Sequence, residues 1–340
     1  MHPDHIYMRR ALRLAALGLG HASPNPMVGA VIVAPDGRVA GEGWHRRCGG
    51  PHAEVNAVAA VRDEALLREC TMYVTLEPCS HWGRTPPCAQ LIIDKKIPRV
   101  IVGATDPFHA VSGRGIAMLR DAGVEVTTGV LADESIRLNR RFFTAHTQRR
   151  PYIVLKWAQS ADGFMDRRRA PGEGAARLSS PLTQLLVHRL RACFDAILVG
   201  SGTALADDPR LDCRLWPAAC TAPRPVLLDR RGRVPATARM LARPDTIVLR
   251  DHHDLPDAMR RLYDCGITSL MVEGGPQVLR SFVDAGLWDA ARVETAPVAF
   301  GADGTAPAPV LPVPPDAIRT TGAARIAHYT NTRSGQPLSS

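Results

Sequence analysis

The sequence predicts an α/β protein made of two layered domains. Three observations lead there: the length, the alternation of strand-type and helix-type runs in both halves, and a polar joint between them. At 340 residues the chain exceeds the size at which a single core usually stops growing, so two domains are expected. An amphipathic helix is expected around residues 11–20; Arg13 interrupts what would otherwise read as a signal-peptide core, and no small-x-small cleavage pattern follows. In the first half, strand-type runs at 28–34, 72–76, 100–103 and 124–128 alternate with helix-type runs at 53–67, 87–95 and 115–121. A helical stretch over 133–143 runs into Thr147-Gln148-Arg149-Arg150-Pro151, where polarity and a closing proline mark a joint. The second half restarts with strands at 152–157, 196–200, 226–229, 246–249 and 269–272, and helices at 181–193, 255–263 and 277–285. Each half thus reads as a central sheet flanked by helices, with domains at 1–147 and 148–330 and a polar tail at 331–340.

Composition narrows the class. Hydrophobic residues make up 45% and charged residues 22%, ordinary values for a globular protein, and no apolar run reaches the length of a membrane span. A cytoplasmic protein with no membrane partner is expected. The formal charge of +9 is spread over patches such as Arg149-Arg150, Arg167-Arg168-Arg169 and Arg230-Arg231 rather than one stripe with interleaved aromatics. An anionic small substrate accounts for it, and no nucleic-acid partner is expected; association of identical subunits is left open. Of eight cysteines, Cys48, Cys70, Cys193, Cys213, Cys220 and Cys265 read as packing residues, and the other two carry chemistry.

Those two are Cys79 and Cys88, which follow His52-Ala53-Glu54. His-x-Glu, then Pro-Cys, then a further Cys, is the signature of the zinc deaminases. One imidazole and two thiolates leave the fourth zinc position to water, whereas a structural zinc is closed by four protein ligands. Glu54 is then the proton carrier and stays off the metal. Residues two apart on a regular helix point roughly 200° apart, so His52 and Glu54 converge only at a helix start, which Gly49-Gly50-Pro51 supplies. The cysteines lie further apart than Cys-x-x-Cys, so a longer loop carrying His81 and Arg84 hangs beside the metal. Two rivals stay open at this point. One is a zinc deaminase of a nucleotide or RNA base whose second half only binds; the other is a zinc-stabilised interaction module.

The segments Ser23-Pro24-Asn25-Pro26-Met27-Val28-Gly29-Ala30, Thr75-Leu76-Glu77-Pro78-Cys79-Ser80-His81 and Gly83-Arg84-Thr85-Pro86-Pro87-Cys88 closely resemble the bifunctional riboflavin-biosynthesis deaminase/reductase family. The likeness covers residues 8–301. It implies a cytidine-deaminase-like first domain and a dihydrofolate-reductase-like second domain, with Zn²⁺ and NADPH as cofactors. The substrate it implies is a diaminopyrimidine ribotide, deaminated and then reduced from ribosyl to ribityl. Asn25 resembles the family residue that touches the pyrimidine. In the second half the likeness is carried by His188-Arg189-Leu190-Arg191, by Asp195 through Thr203, by Leu205 through Leu211, and by Val272-Glu273-Gly274-Gly275-Pro276. It implies NADPH contacts at Thr203, Asp207, Gly274, Gly275 and the backbone near Ala158, and substrate contacts at Arg191, Leu211, Arg214 and Glu273. Glycines between a strand and a helix let backbone N–H groups approach a diphosphate, and arginines suit a ribose phosphate. Two departures stand out. Trp82 sits where relatives often carry a second His, and the basic loop 167–177 lacks a Trp common there. Arg230 follows a strand at a place suited to the adenosine 2′-phosphate, with a solvated arginine as the alternative.

Overall fold

The computed structural model describes residues 2–82, 86–107, 112–170, 173–217 and 222–332. The chain divides into two units, Met1–Gln148 and Arg149–Ser340. Arg84, Cys220 and most of the expected tail at 331–340 fall outside the described residues.

The first unit is built on five strands: β1 (Gly29–Val33), β2 (Val39–Trp44), β3 (Thr71–Leu76), β4 (Arg99–Ala104) and β5 (Glu125–Thr128). They lie in the order β2-β1-β3-β4-β5, with β1 antiparallel to both neighbours and β3, β4 and β5 parallel. Period-2 alternation makes both faces apolar, since Ala30 and Ile32 point one way and Val31 and Val33 the other. The first face is covered by α2 (Ala53–Ala59), α3 (Cys88–Asp94) and α4 (Arg114–Asp121) through Ala53, Ala57, Ala89, Ile92 and Leu119. The second takes α1 (Pro3–Ala16), whose Met8 and Ala11 are fully buried. Burying a side chain the size of Met8 contributes about 1.5–3 kcal/mol.

Two helices expected as single pieces are broken. The stretch 53–67 divides into α2 and a 3₁₀ turn, Glu64–Glu69, because the Asp63 side chain accepts the Ala65 N–H at 3.1 Å and starts a new turn. The stretch 133–143 divides at Asn139 into α5 (Ala132–Leu138) and α6 (Arg140–Gln148). Asn139 spends both ends of its amide on the backbone of Met27, accepting from N and donating to O at 2.8 Å each. Strand β2 was not foreseen, since Gly41 and Gly43 weaken the strand pattern. They are required by contact with α2: a Cβ on Gly41 would lie 2.4 Å from the Ala57 carbonyl oxygen, and one on Gly43 2.6 Å from the Ala57 nitrogen.

The second unit holds eight strands: β6 (Tyr152–Gln159), β7 (Ala196–Gly200), β8 (Arg224–Leu228), β9 (Ile247–Leu249), β10 (Ser269–Val272), β11 (Ala290–Thr295), β12 (Ala317–Thr321) and β13 (Ala324–Thr330). Their order is β12-β13-β11-β6-β10-β7-β8-β9. All are parallel from β11 to β9, and β12 and β13 add an antiparallel edge. Ile153, Leu155 and Trp157 pack with α9 (Leu255–Asp264) and α10 (Pro276–Asp284), while Tyr152 and Val154 face the opposite cluster with Phe194, which follows α7 (Pro181–Arg191), and Ala204 of the short α8 (Ser201–Asp207). The sequence reading missed α8 and the last three strands; in β11, Arg292 and Glu294 interrupt the apolar run that would have marked it.

The cysteine expectation needs correction. Cys70 and Cys213 are buried, but Cys48 and Cys265 are exposed and Cys193 is half-buried. No disulfide occurs among the described residues, and none of their helices is long and apolar enough to cross a membrane.

Candidate active sites

His52 is the N-cap of α2 and Cys88 the first residue of α3, so two helix starts on one sheet face deliver two ligands to the loop that follows β3. That loop brings Cys79. His52 Nδ1 lies 3.6 Å from Cys79 Sγ and 3.3 Å from Cys88 Sγ, and the three donor atoms fall within 4.8 Å of one another. Among the described residues no further His, Cys, Asp or Glu joins them. One imidazole and two sulfurs at these separations fit a tetrahedral zinc with one corner left over. Cys79 is the first of the two thiols to ionise, lowered to about 4 by hydrogen bonds from the Cys88 thiol, from His52 and from the Cys88 backbone N–H. Cys88 is pushed up, because the hydrogen bond that favours Cys79 comes from its proton.

Glu54, in the first turn of α2, is only 3% exposed. Burial, reinforced by the charge of Cys79, raises its carboxyl pKa to about 7. It stands in a cleft of about 280 Å³ whose wall also includes Asn25, His45, His52, Cys79 and His81. His81 is thus close to the ligands without being one, and Trp82 is 74% exposed and turned to solvent.

Three residues that position this site carried no signal in the sequence reading. His45 Nδ1 is 3.1 Å from the Pro51 carbonyl, which can only accept, so that nitrogen carries the proton. Burial lowers the pKa of His45, keeping the ring neutral, and Nε2 is then the acceptor for the Asn25 amide 3.2 Å away. That fixes the Asn25 side chain with its NH₂ group toward His45 and its Oδ1 as the acceptor end. Asn139, by gripping Met27, secures the same segment from the far side. Glu77, 4% exposed, accepts backbone N–H groups from Asp106, Gly113, Gly115 and Ile116 at 2.9–3.3 Å, locking the approach to Cys79 onto the start of α4. Gly115 is needed there, since a Cβ would lie 1.9 Å from the Pro78 carbonyl oxygen.

In the second unit Ala158, Thr203, Glu273, Gly274 and Gly275 lie at or just beyond the C-terminal ends of β6, β7 and β10, the edge where ligands of parallel sheets bind. Gly274 and Gly275 lie between β10 and α10. A Cβ on Gly274 would lie 2.8 Å from Val278, and one on Gly275 3.3 Å from Thr203 Oγ1, so Thr203 of α8 and the glycine turn share one cradle. Exposed backbone there, ahead of a helix start, fits a dinucleotide diphosphate. Asp207, at the end of α8, is held by Arg169 at 3.1 Å, so the basic loop contributes directly. Ala158 is half-buried on β6. Arg191 and Glu273 face each other in a two-pronged ion pair of 2.9 and 2.6 Å, and Arg191 also donates to the Asp212 carbonyl at 3.0 Å. Arg214 is exposed and paired with Asp212 at 2.5 Å, whereas Leu211 is 2% exposed and packs in the core. Lys156 on β6, unmarked by the sequence reading, is pulled below the usual lysine range by burial, against the opposing pull of Glu273. In register with it stands Arg292, and the fully buried Glu294 lies 3.7 Å from that arginine and within reach of the Lys156 charge.

A zinc-ligand set beside a buried carboxylate, followed by a parallel-sheet unit with a dinucleotide cradle, defines a deaminase joined to a reductase. The family model described as "Cytidine and deoxycytidylate deaminase zinc-binding region" matches residues 1–104, and "RibD C-terminal domain" matches 151–321. The chain is 39% identical to the riboflavin biosynthesis protein RibD of Aquifex aeolicus over 88% of each chain. It is 37% identical to that of Escherichia coli over 88% of this chain and 89% of the other. Among solved structures, RibD of Acinetobacter baumannii superposes with a TM-score of 0.88 at 30% identity, covering 96% of this chain and 98% of that one. A Thermotoga maritima diaminohydroxyphosphoribosylaminopyrimidine deaminase/5-amino-6-(5-phosphoribosylamino)uracil reductase gives 0.84 at 34% identity, over 96% and 98%. The chain belongs to the RibD family, the bifunctional deaminase/reductases of riboflavin biosynthesis, whose cofactors are Zn²⁺ and NADPH.

Proposed function

We propose that the first unit deaminates a diaminopyrimidine ribotide and that the second reduces the ribosyl group of the product to ribityl. The observation that carries this reading is the convergence of His52, Cys79 and Cys88 within 4.8 Å, with buried Glu54 on the wall of the same cleft. His52, Cys79 and Cys88 would hold Zn²⁺, which when bound makes water acidic enough to be a nucleophile at neutral pH. Glu54 takes a proton from the attacking water, passes it to the ring, and assists the departing amine, so water and amine become carbonyl and ammonia. Asn25, its Oδ1 presented as an acceptor, receives an N–H of the pyrimidine.

In the second unit Thr203, Gly274, Gly275, Asp207 and the backbone at Ala158 would hold NADPH, which when bound supplies the reducing equivalent. Glu273 and Arg191 form a preorganised polar face for the sugar, and Arg214 reaches the phosphate. The thiolate ligands require a reducing compartment, which supports a cytoplasmic location. The test is to follow ammonia release and NADPH absorbance on the pyrimidine ribotide, with and without a chelator. Chelation should abolish the first signal and spare the second when the substrate is supplied already deaminated. Ammonia release that survives complete loss of zinc would refute the assignment.

A further inference from the structure

Arg214 sits in a turn between α8 and β8, closed by a 2.9 Å hydrogen bond from the Trp216 N–H to the Cys213 carbonyl. Such a bond fixes the shape of a turn but not its place on the protein. Its place is set by the last turn of α7, which grips it at three points. Arg191 Nη1 donates to the Asp212 carbonyl at 3.0 Å, and the Arg189 guanidinium lies 5.5 Å from the centre of the Trp216 ring. Between these two contacts, the Leu215 N–H donates to His188 Nδ1 at 3.4 Å. His188 and Arg191 stand three positions apart on the helix and so share one face. His188 is only 6% exposed, and the reactions above make no use of it.

The bond to Leu215 dictates the state of the ring. A backbone N–H can only donate, so Nδ1 is the bare nitrogen and Nε2 carries the proton. Burial lowers the pKa of His188, and the charges of Arg191 and Arg214 lower it further, against the pull of Asp212 and Glu273, so the ring is neutral at pH 7. Protonation would set two N–H groups face to face and release the turn. The N–H that His188 accepts belongs to the planar peptide that Arg214 forms with Leu215, so the bond also fixes the Cα from which the arginine projects. Asp212 steadies the Arg214 guanidinium, and His188 steadies the backbone beneath it. A guanidinium fork meets a phosphate with two hydrogen bonds only when its base is held in place.

We propose that His188 is a positioning residue of the reductase: through the Leu215 N–H it fixes the peptide that carries Arg214, and so sets the grip on the substrate phosphate. The inference rests on the reading of Arg214 as the phosphate contact of the second unit.

The test uses the full chain and follows NADPH oxidation with the deaminated ribotide and with the same compound lacking its phosphate. His188→Leu removes the acceptor at similar size and should raise KM for the ribotide by on the order of tenfold, with kcat and KM for NADPH held. KM for the phosphate-free compound should stay where it is. His188→Asn keeps an acceptor at the reach of Nδ1 and does not titrate, so it should give the parent's KM at pH 7. As the pH falls below 6.5, KM of the parent should climb more steeply than that of His188→Asn. The phosphate's own titration, near about pH 6, affects both alike, so the difference belongs to His188. A His188→Leu variant with the parent's KM, an equal loss with and without the phosphate, or a His188→Asn variant as weak as His188→Leu would each overturn the proposal. If thermal transitions show that His188→Leu does not fold, His188→Asn still decides, because an acid-side rise in KM as steep as the parent's overturns the proposal. If the parent oxidised no NADPH with the ribotide, the reductase reading would fall on that result. Calorimetric titration of ribose 5-phosphate would then decide His188: weaker binding by His188→Leu than by the parent supports the proposal, and equal binding overturns it.

Discussion

Replacing Glu273 by Gln removes one member of a buried, two-pronged ion pair in the second unit. Burial alone would raise the pKa of the Glu273 carboxyl, but the charge and two hydrogen bonds of Arg191, with Lys156 nearby, hold it down to about 2 from an ordinary 4.5. A displacement of that size corresponds to about 3 kcal/mol of stability at neutral pH. The geometry gives a similar figure: with side-chain exposures of 14% and 10%, taking away one partner leaves a buried charge uncompensated, at a cost of about 3–5 kcal/mol. Because the folded pKa is depressed, the contribution is fully present above pH 4.5 and disappears as the pH falls through 2. Urea unfolding of the parent and Glu273→Gln, followed by a probe in the second unit at several pH values, should show a gap of about 3 kcal/mol at pH 7 that closes toward pH 2. Below that pH the parent's own Glu273 is protonated and Arg191 is equally alone. A gap below about 0.5 kcal/mol at pH 7, or one that widens on acidification, would refute the argument that Arg191 is charged and dependent on Glu273.

Four further outcomes are expected. Glu54→Gln should lower the rate of ammonia release by about 10²–10⁴ with zinc content unchanged, and a loss of zinc in proportion to activity would make Glu54 a structural residue instead. Glu77→Gln turns an NH₂ group toward N–H donors of the α4 start; it should destabilise the first unit by about 3 kcal/mol and reduce zinc retention, measured by metal analysis after gel filtration. Gly115→Ala should act in the same direction, since its Cβ has no room beside Pro78, and NADPH oxidation on the deaminated substrate should persist in both variants. Replacing Arg292 by Ile together with Glu294 by Leu should leave the second unit as stable or up to about 4 kcal/mol more stable, while either single change costs about 3–5 kcal/mol. Calorimetry decides this, and a double variant less stable than both singles would contradict it.

The candidate zinc set of His52, Cys79 and Cys88 was legible because each belongs to a short local motif whose chemistry depends on residue type: imidazole and thiol cannot be exchanged for other side chains. The positioning residues were not. His45, Glu77 and Asn139 act through partners such as Pro51, Gly115 and Met27, and Met27 lies 112 positions from Asn139. Their residue types are common at turns and on surfaces, so only contact reveals the role. The same holds for Arg191 and Glu273, marked separately by likeness and found as one ion pair across 82 positions. The three late strands escaped for a different reason, since charged β11 and exposed β12 lack the alternation that announces a half-buried strand.

Taken alone, the amino-acid order determined the two-domain α/β plan, the place of the joint, and which side chains could ligate zinc, because hydrophobic period, proline and glycine placement, and ligand chemistry are local properties. Tertiary structure decided which groups share a proton, which amide end faces the cleft, and which arginines are committed to a carboxylate. Those outcomes depend on distance and burial, and these arise only when strands remote in the chain are brought side by side in the sheet.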